Sequence, residues 1–386
     1  MTPINNVDPR KGVLLPKIDT FDPKTSKCLI GKGKTGSYVF TSDCIQDFVR
    51  HGKLICENLY ENYLKRNCLD SEKYDVGTKP PHNLVLKIND KADETRMEIA
   101  ANNKIHSWLS KRSLLRLSAL HPTISTISVF DDANNMAADL VALRPMDGDV
   151  SRLTDLTAQE LLLLTKNALT VLYIIHEEKY MHLDIKPPNI LYTSRKVGEE
   201  RLFAVADYGI LESMVGVHSF LARKSYSGTL GYMSPLLLEN DDANQVFPKF
   251  SRIFRKTRGS ELCTEAMRAL FYAKRKEFNL QDPREQRGTP ASLSTLERLF
   301  PKIDLHSLGL TLYDLVDRQT GLTDAERKLF YDLMYSLIFY SDKEMGVVPD
   351  KLNPAIKTFS TTFDAAQVVC ALSRSGCADI DEVGEA

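Results

Sequence analysis

The alternation of apolar and polar positions changes character near residue 149. Before it, short apolar runs are separated by polar or glycine-rich stretches. Cys28–Phe40, CLIGKGKTGSYVF, predicts a strand, a glycine turn and a second strand. Residues 42–82 are mixed; they predict a helix over Ile45–Leu64 and end at the breaker Lys79-Pro80-Pro81. Leu84–Ile88 is an apolar run with one charge inside it, Lys87, and predicts a strand. Residues 93–111 predict a helix, and Asp139–Pro145 a strand that Pro145 ends. Beyond Asp149, Ala158–Glu178 is apolar on most helical faces, which predicts a buried helix. His182–Asn189 reads as a loop with two prolines, followed by short strands at Ile190–Tyr192 and Leu202–Ala206. From Ile303 onward the pattern is mostly helical, and no repeat of 20–50 residues is visible. A strand-rich first third before a helical remainder predicts an α+β chain in two lobes.

Composition narrows the class. The 386 residues include 50 Lys and Arg against 51 Asp and Glu, with 43% hydrophobic and 26% charged positions. These fractions exclude a disordered chain, a collagen-like chain and a disulfide miniprotein. The net charge of −1 gives no support to whole-surface nucleic-acid binding. The seven cysteines (28, 44, 56, 68, 263, 370 and 377) are scattered and form no CxxC pair. That argues against a disulfide framework and a structural zinc site, and fits a reducing compartment. The first residues, MTPINNVDPRKG, lack the apolar core of a signal peptide, and the aliphatic cluster Leu161–Leu164 is too short to cross a bilayer. The expectation is an intracellular, cytoplasmic protein with no membrane span.

Three fragments carry chemistry. Gly31-Lys32-Gly33-Lys34-Thr35-Gly36 matches G-x-G-x-x-G. Glycine lets the backbone approach phosphate oxygens closely, although a plain glycine-rich hairpin turn fits the same residues. Tyr38-Val39-Phe40 reads as a strand, which argues against the Rossmann and Walker settings, where a helix begins at this point. His182-Leu183-Asp184-Ile185-Lys186-Pro187-Pro188-Asn189 gathers a carboxylate, an ammonium and an amide in one loop. A carboxylate can accept a proton from an attacking hydroxyl, an ammonium can neutralise a moving phosphoryl group, and an amide oxygen can ligate a metal. Between an apolar helix and an apolar strand, burying these groups without purpose would be costly. Ala206-Asp207-Tyr208-Gly209 ends an apolar run with a carboxylate suited to metal–phosphate ligation, though Asp-x-Gly is also a common turn.

Taken in order, these fragments resemble those of the eukaryotic-type protein kinases, across residues 26 to about 340. GKGKTG resembles the glycine-rich loop, LVLKI the third strand with its Lys, HLDIKPPN the catalytic loop and ADYG the D-F-G motif. Gly228–Pro235 resembles the end of the activation segment. Lys302–Gly309 resembles the large-lobe helix whose Asp, here Asp304, braces the catalytic loop. The resemblance implies a two-lobed kinase-like fold with a small antiparallel-sheet N-lobe and a large helical C-lobe. Its divisions would be an extension over 1–25, an N-lobe over 26–146 and a C-lobe over 147–345, with a C-terminal helical segment or tail over 346–386. It implies ATP and Mg2+ as cofactors and a protein substrate. Lys87 would pair with the α- and β-phosphates, and Gly31, Lys32, Gly33 and Gly36 would cover them. Leu143 would back the adenine pocket, with Arg144–Met146 as the inter-lobe hinge. Asp184 would be the catalytic base and Lys186 would steady the γ-phosphate, while Asn189 and Asp207 would hold magnesium. Glu98, eleven residues after Lys87, is the chosen helix partner for that Lys; Glu94 is the alternative, and exposed helix charges fit both. Lys186 and Thr229 resemble Ser/Thr protein kinases more than small-molecule kinases.

The departures from the family are specific. Leu183 stands where the catalytic-loop Arg is usual, which removes the clamp for a phosphorylated activation loop although Ser213, Ser219, Ser225, Tyr226 and Ser227 are available. Leu236 replaces the Glu of A-P-E, His306 the usual Trp, Tyr208 the Phe of D-F-G, and Asn102 an apolar position. Long stretches separate Gly31 from Lys87 and Leu236 from Asp304, which implies insertions near 42–82 and 240–300. The second holds SRIFRKTR and AKRKEF, a basic helical region that suits an acidic protein substrate or a plain solvated face. These departures also resemble those of kinases from large DNA viruses, pathogen effectors and protists; a viral or effector origin would put the chain in a host cytoplasm. The expected activity is Ser/Thr phosphotransfer; a pseudokinase scaffold that binds nucleotide or partners without efficient catalysis is the alternative.

Overall fold

The computed structural model describes residues 29–32, 37–41, 54–57, 85–89, 92–111, 123–130, 136–143, 146–193, 201–214, 228–238, 240–259, 264–277 and 293–339, with positions 365 and 369. The chain divides into two compact units and passes from the first to the second between Met146 and Asp147.

The first unit is built on one antiparallel sheet. Its strands are β1 (Leu29–Lys32), β2 (Ser37–Thr41), β3 (Leu54–Glu57), β4 (Val85–Asn89), β5 (Thr123–Phe130) and β6 (Met136–Leu143), in the order β1-β2-β4-β6-β5-β3. β4 is therefore central, and Lys87 lies opposite Val39 on one side and Val141 on the other. Helix α1 (Ala92–Lys111) packs on β4 and β6. Its buried residues Glu98, Ala101, Asn102, Ile105 and Trp108 recur every three or four positions, so one stripe faces the sheet.

Two elements here correct the expectations from sequence. Leu54–Glu57 is a strand paired with β5, where a helix over Ile45–Leu64 was predicted. A four-residue edge strand is held by its partner, and local periodicity does not report that pairing. Thr123–Phe130 is a second unforeseen strand, and β6 begins at Met136, ahead of the predicted Asp139.

The second unit starts with β7 (Gly148–Asp149) and helix α2 (Ala158–Glu177). Thr157 and Glu160 form a capping box at the start of α2: the Glu160 N–H donates to Thr157 Oγ1 at 3.2 Å and the Thr157 N–H to Glu160 Oε2 at 2.9 Å. By length and apolarity α2 could span a bilayer, a possibility the short cluster Leu161–Leu164 did not suggest. However, 83% of its most apolar window is buried within the protein, the pattern of a core helix. Four short strands follow: β8 (Tyr180–Met181), β9 (Ile190–Tyr192), β10 (Phe203–Val205) and β11 (Glu212–Ser213). β10 pairs with β9, and β11 with β8. These two pairings fold residues 182–189 and 206–211 onto each other.

The rest of this unit is helical. α3 (Phe247–Arg258) and α4 (Thr264–Glu277) precede the long α5 (Leu293–Arg318) and α6 (Asp324–Ile338). α5 begins ten residues before Ile303, with Pro301 inside it, so the proline does not end the helix as its type predicts. Phe247 and Phe250 of α3, Phe271 of α4 and Phe339 after α6 are all buried and in ring contact, and Phe250 and Phe271 also meet the ring of His306 of α5. Ala365 and Val369, four positions apart and helical, are both fully buried.

Candidate active site

The loop between β8 and β9 is held from beneath by Asp304 of α5. Its Oδ2 accepts the His182 N–H at 2.8 Å and its Oδ1 accepts the Leu183 N–H at 2.8 Å. His176, at the end of α2, bonds Oδ2 at 2.9 Å. Burial alone would raise the pKa of Asp304, but these hydrogen bonds and the charge of the two histidines hold it below the ordinary carboxylate range. The same bonds support Leu183 in the left-handed region, at φ 66°, a conformation that costs a bulky residue roughly 1–3 kcal/mol.

With the loop pinned, its polar side chains converge. Lys186 Nζ donates to Asp184 Oδ2 at 2.5 Å and to Thr229 Oγ1 at 2.8 Å, and Thr229 Oγ1 donates to Asp184 Oδ1 at 2.9 Å. Asn189 Nδ2 donates to Asp184 Oδ2 at 3.0 Å and to the Asp184 carbonyl at 2.9 Å. With its nitrogen engaged twice, the Asn189 side-chain oxygen makes no hydrogen bond among the described residues. The Asn189 backbone carbonyl accepts the Ala206 N–H at 2.9 Å, which brings the next residue, Asp207, beside it. Asp207 is exposed and has φ 64°. An amide oxygen and an exposed carboxylate are hard donors of the kind magnesium takes, so the chemistry of the residues present fits that ion.

Two glycine and histidine details shape this loop. Gly228 has φ 135°, and a Cβ there would lie 2.9 Å from the Leu183 carbonyl, so only glycine lets the 228–235 segment approach the loop. His182 is fully buried, and burial pushes its imidazole below the usual range, only partly offset by Asp304, Asp184 and Asp207. Its Nδ1 accepts the Asp184 N–H at 3.3 Å, and its ring leans on Tyr208 at 5.0 Å. The Tyr208 hydroxyl donates to the Val205 carbonyl at 3.0 Å, so the extra oxygen relative to Phe is satisfied inside the core.

In the first unit, Lys87 Nζ forms an ion pair with Glu98 Oε1 at 2.8 Å, both side chains nearly buried. Asn102, one turn on, satisfies its amide by donating to the Glu98 carbonyl at 2.8 Å. Gly31 and Lys32 lie in β1, Leu143 closes β6 opposite Val85, and Met146 is half-buried at the end of the unit. Gly33, Gly36, Arg144 and Pro145 lie outside the described residues. So do the side chains of Glu94, Lys274, Arg275 and Lys276. Of the basic residues in α3, Lys249 is matched by Asp314 and Arg252 by Asp317, each at 2.9 Å. The sequence reading missed His176, Asp314 and Lys249. Nothing in their local pattern marks them, because their partners are distant in the chain.

The antiparallel sheet of the first unit and the helical second unit make an α+β protein with the kinase fold. Residues 85–251 match the protein kinase domain model, a match that supports the eukaryotic-type protein kinase superfamily. The chain is 30% identical over 161 residues to mitogen-activated protein kinase kinase 8 of Arabidopsis thaliana, which covers 41% of this chain and 49% of the relative. It is 25% identical over 176 residues to calcium-dependent protein kinase 5 of Plasmodium falciparum, covering 43% of this chain and 30% of the relative. A serine/threonine-protein kinase of Schizosaccharomyces pombe is 32% identical over 81 residues, 21% of this chain and 16% of the relative. The chain thus spans half or less of the length of the relatives it matches.

Proposed function

We propose that the protein is an active serine/threonine kinase that transfers the γ-phosphoryl of Mg-ATP to protein hydroxyls and needs no arginine-clamped activation loop. The observation that carries this reading is the closed set Asp184–Lys186–Thr229, formed with Leu183 in the place of an arginine. Asp184 orients the acceptor hydroxyl and receives its proton as the new oxygen–phosphorus bond forms and the bond to the β-phosphate breaks. Lys186 offsets negative charge beside Asp184. Lys87, steadied by Glu98, is suited to the α- and β-phosphates. Asn189 and Asp207 would hold magnesium, which when bound neutralises phosphate oxygens. Lys186 and Thr229, together with the name of the fission-yeast relative, favour Ser/Thr acceptors.

Purified protein incubated with labelled ATP, magnesium and casein tests this. Asp184→Asn keeps the shape of the side chain and should lower transfer by about 10²–10⁴-fold. Phosphatase-treated wild type should keep its rate. Nucleotide binding with no transfer would favour a scaffold role, which the Leu183, Leu236 and Asn102 substitutions also suit.

A further inference from the structure

The segment 228–238 must be held for Thr229 to meet Asp184, yet two familiar restraints are missing from it. Leu183 supplies no guanidinium, and Leu236, fully buried, supplies no carboxylate. What does restrain the segment lies four residues past Gly228. Tyr232 donates its hydroxyl to Asp314 Oδ2 at 2.5 Å, and its carbonyl accepts Ser307 Oγ at 2.9 Å. Its N–H donates to the Thr229 carbonyl at 2.8 Å, as does that of Met233 at 3.1 Å, so Tyr232 and Thr229 belong to one tight turn. The same Asp314 Oδ2 accepts Lys249 Nζ at 2.9 Å, and this ammonium sits 4.6 Å from the centre of the Tyr232 ring.

We propose that Lys249, from helix α3 in the long stretch between Leu236 and Asp304, is a positioning residue that locks the Thr229 turn through Tyr232 and Asp314. The inference rests on the kinase reading above. An isolated exposed ion pair would contribute little. Here the ammonium has two partners at once, the carboxylate and the ring face, and its side chain is only 24% exposed against 14% for Asp314. Removing its charge leaves Asp314 with the Tyr232 hydroxyl but without the Lys249 ammonium, and takes that cation off the ring. The turn loosens, and with it the contact of Thr229 with Asp184, which orients the protein acceptor rather than the nucleotide.

The test uses the full chain with Lys249→Met, Lys249→Arg and Tyr232→Phe. Hydrogen exchange should quicken in residues 228–238 for Lys249→Met and Tyr232→Phe, with exchange in 247–258 unchanged, and Lys249→Arg should restore most of the protection. With casein as acceptor, KM for the protein should rise about fivefold, the loss of one hydrogen bond of ordinary strength, while KM for ATP stays the same. Unchanged exchange in 228–238, or equal rises in both KM values, would overturn the proposal. If the wild type transfers no phosphate, the kinase reading fails, and the exchange comparison still decides whether Lys249 holds the turn. If Lys249→Met does not fold, Tyr232→Phe, which removes only a hydroxyl, decides it.

Discussion

Single substitutions in this chain are absorbed by their surroundings in ways that can be measured. Tyr208 spends its hydroxyl on the Val205 carbonyl, so Tyr208→Phe leaves a buried acceptor with one partner fewer. It should cost about 1 kcal/mol of unfolding free energy in denaturant titrations and leave phosphotransfer intact. His306 occupies an aromatic slot between Phe250 and Phe271, its Nδ1 2.7 Å from the Lys302 carbonyl. Burial, reinforced by the charge of Lys302, lowers its pKa from 6.5 to about 3. Between those values the unfolded chain binds a proton that the folded chain does not, so stability declines as pH falls from 6.5 toward 3. His306→Phe should flatten that decline, and denaturation midpoints at about pH 7 and about pH 5 would report it. An unchanged slope would mean that His306 does not set it. Asp304 adds a loss at lower pH, because its folded pKa lies below the ordinary 3.8 and its stabilisation disappears on acidification through that range.

At the scale of elements, close approach explains positions that composition cannot. A Cβ on Gly309 would meet Ile338 Cγ1 at 2.6 Å and Leu337 Cβ at 3.3 Å, so α5 and α6 pack through the missing side chain. Gly309→Ala should destabilise the protein by about 1–3 kcal/mol, read as a lower thermal midpoint, whereas Gly321→Ala, with nothing within 4 Å, should not. The elements that the sequence revealed were those whose stabilisation is local or continuous: α2, apolar on most faces, α1 with its stripe from Glu98 to Trp108, and the apolar run around Lys87. Those it concealed depend on distant partners. β3 exists because β5 is beside it, and α5, which continues through Pro301, packs against α2, α3 and α6 from elsewhere in the chain. The site divides in the same way. Asp184, Lys186, Asn189 and Asp207 are legible because they cluster in short motifs. His176, Asp314 and Lys249 are not, since their bonds reach 128, 82 and 65 residues along the chain.

For the whole molecule, the kinase match over 85–251 ends within α3, so helices α4 to α6 lie beyond it. Helices α3 and α4 are tied into the core by Phe247, Phe250 and Phe271, all buried, and are part of the second unit rather than a surface appendage. The central claim is that Asp184 serves a phosphoryl transfer to an aliphatic hydroxyl. The most direct measurement is phosphoamino-acid analysis of casein after reaction with labelled ATP and magnesium. Phosphoserine or phosphothreonine from the wild type, and neither from Asp184→Asn, is the predicted result. Equal label from both proteins, or label confined to phosphotyrosine, would contradict it.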